Sequence, residues 1–464
     1  MQASVLLPLL TRFGITSKTL GYFVLDNATN NDSTLAELAK SMDFKPEEKR
    51  LRCMGHILNL IAGAYLYGQD SASFEHQIGE VAGAARRQLW RQRGELGKLH
   101  NLVAHITASG KRSNAFESLQ RTNNVGKAAG RRWKLVLDGG VRWNATYSMI
   151  VRALELRQAI DAYQIVLRGG DELDEETFRE DCLSNDEWNT LTIIKEQLEP
   201  LFLLTKDLEG NADLKDGACK ASHGALWEIL IVFDDILQHF EDLQTRSLTG
   251  EFNERIKNSI TLAWTQCTKY YNKTDNSIAW VAALVLHPRW KWAYLEKEWT
   301  GPQLRTSLAD AKRKLRKLWE TSYKGDGVGR QERSPEPDRQ LSYLEQVMDR
   351  RAPAPARPIR NAGRRDELAL YLEELPTPYI PLMEYWRSRE MEWPALSCMA
   401  FDFMAIPAMS SECERVFSST AKQTTVDSAR LSGILLWHQE CLKNWHRRGA
   451  INIQSFNNGI LLED

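Results

Sequence analysis

Apolar residues return every three or four positions over most of this chain, the spacing that keeps one face of a helix against a core. That pattern predicts a short helix over 6–13 and another from an N-cap at 31–34 to about Met42. An apolar segment at 50–68 reads as helical for most of its length, and long helices follow at 150–166, 186–209, 226–243 and 252–271. The apolar stretch 277–286 is ended by His287-Pro288. Further helices are expected at 366–373, 393–405, 411–420 and 431–447. Two runs break the helical period: the aromatic and β-branched run 21–26 and the run 133–138 both read as strands. Residues 324–365 carry Gly, Pro and few apolar side chains and read as a disordered linker. The result is a mainly α chain with a small α/β part and no internal repeat.

The run 21–26 ends abruptly in Asp26-Asn27. A strand that stops this way delivers a carboxylate to the C-terminal edge of its sheet, where ligand and metal sites gather in α/β folds. An Asx turn in which Asp26 serves only the backbone is the plainer alternative. Cys53 and His56 stand three apart, on one face of a helix, but no second Cys/His pair lies at matching spacing. The pair therefore reads as a packed thiol and a hydrogen-bonding imidazole rather than a zinc site. In Ser410-Ser411-Glu412-Cys413-Glu414, Glu414 fits a helix capping box. No nucleotide-binding Gly loop, nucleophile elbow or H-E-x-x-H is present, so those enzyme classes have no support.

Charge changes the picture locally. The chain has 464 residues, 26% charged, with a net charge of −1. Yet residues 86–134 hold twelve Lys/Arg against Glu95 and Glu117. A solvated helix face is the plain reading. The poor compensation also suits contacts to DNA phosphates, with Arg86, Arg87, Lys111, Arg112, Arg131, Arg132 and Lys134 as candidates. Such contacts give weak, sequence-independent binding. Seven scattered cysteines argue for reduced thiols inside the cell. No apolar run reaches membrane-span length, and the N-terminus lacks a basic n-region.

In order along the chain, GYFVLDNATNND (21–32), RLRCMGHILNLIAGAYLYG (50–68), GKLHNLVAHI (97–106), VRWNATYSMI (141–150) and WVAALVLHPRWKW (280–292) resemble the hAT superfamily of DNA transposases, particularly the fungal Restless-like elements. So does the block from DELALYLEELP (366–376) through PAMSSECERVFSS (407–419) to HQECLKNWHRR (438–448). The resemblance implies a partial ribonuclease-H-like segment at 1–147, an all-helical insertion at 148–323, and a C-terminal dimerisation region at 366–464. It places Asp26 and Glu414 as catalytic carboxylates holding Mg or Mn. It matches the family's Cys-x-x-His to Cys53 and His56 and its Arg-Trp motif to Arg142-Trp143, on the DNA-contacting side. It gives the last block self-association, with Trp386, Trp393, Phe401, Phe417, Leu431, Trp437 and Trp445 as the apolar surface.

The family's first aspartate precedes the Asp-Asn-Ala motif on an earlier strand, and this chain starts about twenty residues before Asp26. Asp138 stands beside the Arg-Trp motif, which argues against it as a replacement. The expectation is thus an N-terminally truncated, nuclear, transposase-like protein without independent transposition activity. It would need no cofactor, and it would keep dimerisation and weak DNA binding. An active metal-dependent transposase whose N-terminal exon is missing, and a helical scaffold or regulator without a DNA role, are the competing readings.

Overall fold

The computed structural model describes residues 2–122, 133–139, 143–169, 178–209, 224–324, 366–378, 381–423 and 432–447. The chain opens with α1 (Gln2–Arg12), β1 (Phe23–Leu25), α2 (Thr29–Met42), α3 (Pro46–Lys49), β2 (Arg50–Arg52) and α4 (Met54–Tyr67). Then come α5 (Ser71–Glu80), α6 (Gly83–Arg91), α7 (Glu95–Thr107), α8 (Gly110–Thr122), α9 (Trp143–Glu155) and α10 (Arg157–Gly169). The central helices are α11 (Asn185–Glu209), α12 (Ile229–Leu248), α13 (Glu254–Tyr271), α14 (Ala279–Val285), α15 (Lys291–Glu298) and α16 (Pro302–Ser322). The last are α17 (Glu367–Glu373), α18 (Leu382–Arg389), α19 (Pro394–Met404), α20 (Ser411–Gln423) and α21 (Gly433–Arg447). The linker expected at 324–365 lies, after Lys324, outside the described residues.

Two compact units divide the chain: Met1–Ile57 with Leu204–Asp235 and Lys269–Asp464, and Leu58–Leu203 with Ile236–Thr268. In the first, β1 and β2 pair in parallel, Phe23 opposite Arg50 and Leu25 opposite Arg52. Parallel neighbours need a crossover, supplied here by α2 and α3. Leu35 and Leu38 of α2 are buried with Ala3, and Leu7, Leu10, Phe23, Leu25 and Phe44 pack against them. α2 stops at Asp43, which takes a left-handed conformation (φ 49°) and donates its N–H to Ala39 O.

β2 corrects the expected helix over 50–68, which begins only at Met54. Arg50-Leu51-Arg52 alternates polar and apolar. That period of two buries Leu51 completely and leaves both arginines on the other side of the strand.

The C-terminal block supplies more core of the first unit. Tyr371 Oη donates to Val285 O at 2.9 Å, and Trp386 Nε1 donates to Leu286 O at 3.0 Å. The Lys291 ammonium donates to the carbonyls of Tyr371 and Glu374, at 2.5 and 2.7 Å. Trp386 and Trp393 both flank the Tyr371 ring, at 5.0 and 6.1 Å. These two tryptophans are therefore core of their own chain, not the self-association surface expected of them. Their helical spacing is that of any buried stripe, and only the partner elements distinguish the two cases.

In the second unit, Trp90 is fully buried, stacked on His100 at 3.7 Å and met edge-on by Phe74 at 5.2 Å. Arg91 makes a bidentate pair with the fully buried Asp181, both contacts at 2.8 Å. The strand expected at 133–138 does not form. The segment is extended, but its backbone bonds side chains: Gln120 brackets Trp133, and Arg152 donates to Lys134 O at 2.8 Å. Alternation alone cannot say whether a strand or a side chain satisfies a backbone.

Candidate functional site

The C-terminal end of β1 carries the candidate site. Asp26 closes an Asx turn: its Oδ1 accepts from the Ala28 N–H at 2.9 Å and from Asn31 Nδ2 at 2.6 Å. The two arginines of β2 reach over the same turn. Arg50 Nη2 donates to Asp26 O at 2.8 Å, and Arg52 Nη1 donates to Asn27 Oδ1. Arg50 also pairs with Asp32 in the first turn region of α2.

Three distant stretches deliver the rest. Residues 406–408 bond the start of the 224–226 segment: Leu226 N–H donates to Ile406 O and Ala408 N–H to Gly224 O, at 3.0 and 2.8 Å. The same strip meets the head of α4, where Met54 N–H donates to Ala408 O at 3.0 Å. Cys53 Sγ accepts from the Ser410 N–H at 3.3 Å. The contacts leave no room for a side chain at Gly224, and at Gly55 one would have to displace the Met409 side chain. A Cβ at Gly224 would stand 2.8 Å from Leu208 Cα, and one at Gly55 would stand 2.9 Å from Met409 Sδ. α20 then starts at Ser411 and presents Glu414 and Arg415, the latter donating to Glu209 O at 2.7 Å.

His56, half-buried on α4, feels the charge of both carboxylates. Burial holds its imidazole below the ordinary histidine value, while the negative charges of Asp26 and Glu414 oppose that shift. Arg50 and Arg52 also line a cavity of about 210 Å³, together with Asp32 and Lys273. Burial lowers the Lys273 ammonium, and repulsion from Arg52, Lys269 and Arg50 lowers it further.

Residues 51–197 match the family described as the ZBED1 RNase-like helical domain, and residues 367–445 match the hAT family C-terminal dimerisation region. A protein described as an AC transposase from Zea mays is 22% identical over 463 residues, covering 93% of this chain and 50% of the relative. The zinc finger BED domain-containing protein RICESLEEPER 2 of Oryza sativa subsp. japonica is 22% identical over 427 residues, 85% of this chain and 50% of its own. Zinc finger BED domain-containing protein 4 of Homo sapiens is 21% identical over 420 residues, covering 90% of this chain and 30% of its own. Both family matches and these relatives make the chain similar to hAT superfamily proteins. The chain spans about half the length of the first two relatives.

The resemblance to hAT transposases implies two aspartates and a glutamate around two divalent ions. The described residues do not fit that set. One Asp26 oxygen is engaged by its own turn, and no group of three or more His, Cys, Asp or Glu is placed to hold a metal ion. Asp138 sits in the other unit, its Oδ1 2.5 Å from His100 Nδ1 and its Oδ2 accepting from Thr146 Oγ1 at 3.3 Å.

Two DNA-contact expectations change. Trp143 is buried, edge-on to Tyr147 and Phe202 in the second unit, and Cys53 is buried under Ser410. Both are packing residues here, because an indole and a thiol at the start of an apolar helix find a core before they find solvent. Arg131, Arg132, Arg142 and Leu431 lie outside the described residues.

The basic segment is also partly compensated by carboxylates from elsewhere: Arg91 by Glu180 and Asp181, Lys98 by Glu187 at 2.7 Å. Lys111, Lys134 and Arg86 stay exposed, and Arg87 and Arg112 half-exposed. Sequence reasoning missed Arg50, Arg52 and Asn31, although the alternation on β2 already places both arginines on one side.

Proposed function

We propose that this chain acts as a nuclear hAT transposase-like protein that binds DNA weakly through its basic segment and self-associates, without cleaving DNA on its own. The observation that carries the reading is the site itself. Asp26 and Glu414 both act on His56 through their charge, but one Asp26 oxygen is engaged in its turn and no group of three ligands forms among the described residues. Two-metal phosphoryl transfer needs carboxylates that bridge and neutralise two cations about 4 Å apart, and this set falls short. Mg or Mn would therefore find no tight site here. The exposed cations Arg86, Lys111 and Lys134 support sequence-independent contact with phosphates.

The experiment pairs two measurements on the full chain. Incubation with Mg²⁺ or Mn²⁺ and duplex DNA is expected to give no cleavage or strand transfer. Cleavage that disappears in Asp26→Asn would overturn the reading. A salt titration of DNA binding is expected to show affinity falling steeply between low and physiological salt, with a shallower slope in Lys111→Glu/Lys134→Glu. Binding indifferent to salt would remove the basic segment from the account.

Self-association is supported by the match to a dimerisation region and by a surface of the last two helices. Phe417 on α20 is 73% exposed, and Trp437 and Trp445 on α21 are 52% and 50% exposed. α20 and α21 are tied to each other by Ser419 Oγ, which donates to Glu440 Oε1 at 2.8 Å and accepts from Lys443 Nζ at 3.0 Å. An apolar surface held on a braced helix pair favours burial against another copy. Phe417→Ser/Trp445→Ser is expected to shift sedimentation at micromolar concentration from dimer to monomer, with an unchanged helical circular dichroism signal. Identical sedimentation of the two proteins would place the dimer contact elsewhere.

A further inference from the structure

The second unit contains an open cavity of about 540 Å³, within the size range of small-molecule pockets and far larger than a bare phosphate fills. Three guanidinium groups line it, Arg86 and Arg87 from α6 and Arg112 from α8. No carboxylate pairs with Arg86 or Arg87 among the described residues, in contrast to their neighbour Arg91. Aromatic side chains supply another part of the wall. Arg87 lies over the Phe178 ring at 5.0 Å, and Trp90 forms part of the floor.

Two buried donors on this wall lack a hydrogen-bond partner: Arg87 Nε and the indole Nε1 of the fully buried Trp90. A buried N–H without an acceptor is costly, and an acceptor-rich ligand removes that cost. Gly83, the first residue of α6, also lines the cavity, and the helix's N-cap, Ala82, offers no side-chain acceptor. The end of that helix therefore adds a favourable potential for negative charge.

We propose that this cavity binds a nucleoside monophosphate unit, its phosphate held by Arg86, Arg87 and Arg112 and its base set against the aromatic wall. Guanidinium groups bind phosphate in a bidentate manner and stack on flat rings, so one arginine cluster serves both halves of such a ligand. The unit has two possible sources, a free nucleotide or the phosphorylated end of a DNA strand. Arg86 is shared with the salt-dependent duplex contact, but the other two cations of that contact, Lys111 and Lys134, lie outside the cavity lining and separate the two readings.

Equilibrium dialysis of the full chain with labelled deoxyadenosine 5′-monophosphate tests it. Saturable binding of one equivalent per chain is expected. Arg86→Glu and Arg87→Glu should each weaken it by about tenfold or more, while deoxyadenosine and inorganic phosphate compete at least about tenfold less well than the monophosphate. Arg86 is exposed, so its reversal keeps the fold even if that of Arg87 does not. The proposal fails if no saturable binding occurs, if Arg86→Glu leaves it unchanged, or if inorganic phosphate competes as well as the nucleotide. Competition by a 5′-phosphorylated oligonucleotide, but not by its unphosphorylated form, assigns the strand end as the source. Binding of the monophosphate without such competition assigns the free nucleotide, and either result upholds the pocket. Lys111→Glu/Lys134→Glu should leave the monophosphate bound while shallowing the duplex salt slope, so the two readings fail separately.

Discussion

Trp386→Ala is expected to destabilise the first unit by about 3–5 kcal/mol, the range for truncating a fully buried tryptophan. The indole fills the space between Tyr371 and Tyr385, with ring centroids at 5.0 and 5.2 Å. Its N–H is also the donor to Leu286 O, so the truncation leaves a cavity and a buried carbonyl without that donor. Urea unfolding followed by circular dichroism reads the loss as a lower transition midpoint. Phe417→Ala, at an exposed position, should stay within about 0.5 kcal/mol of the parent. Should Trp386→Ala instead dissociate a dimer at unchanged stability, the residue belongs to an interface after all.

Acid should unfold the same unit through His287. Burial, and then the neighbouring Arg289 charge, push its imidazole down to about 3 from an ordinary value near 6.5. The ring lies tilted against Trp227, with centroids 4.2 Å apart, and its Nδ1 accepts from the Arg289 N–H at 3.2 Å. The folded-state value is depressed, so the unfolded chain takes up a proton that the folded chain refuses. The contribution is complete above about pH 6.5 and is lost as the pH falls toward 3. At its limit it is of order 4–5 kcal/mol, from about 1.4 kcal/mol per pH unit. A series of urea midpoints from pH 7 down to pH 4 should fall steeply for the parent and more gently for His287→Gln. Parallel curves would exclude His287 as the origin.

The helical pattern, the strand ending at Asp26 and the C-terminal helices were readable because periodicity reports which face is buried. The short β2 strand escaped, since three residues cannot outweigh the apolar helix that follows them. The strand expected at 133–138 failed for the opposite reason. Its alternation is real, but Gln120 and Arg152, not another strand, satisfy its backbone.

Spacing also left open whether Trp386 and Trp393 meet a partner chain or their own core. That choice depends on Val285 and Leu286, about a hundred residues away in sequence. At the candidate site, the strand-end carboxylate and the C-x-x-H spacing stood out in sequence. The arginines over the Asx turn did not, because neither belongs to a recognisable motif. Local charge counting overstated the basic segment, since Asp181 and Glu187 neutralise parts of it from outside the window.

The hydrogen bond between Cys53 and Ser410 closes a loop of 357 residues. Such a closure adds little to the entropy already lost, because the cost grows only with the logarithm of length. It does impose an order on events. The β1–β2 pair and the head of α4 leave the ribosome early, whereas the 406–410 strip that covers them arrives much later. At about 5–20 residues per second, the interval is roughly 20–70 s. During it, Cys53, Met54 and Gly55 lack the partners that Ala408, Met409 and Ser410 later bring, so the head of α4 waits exposed on that side until the strip is made.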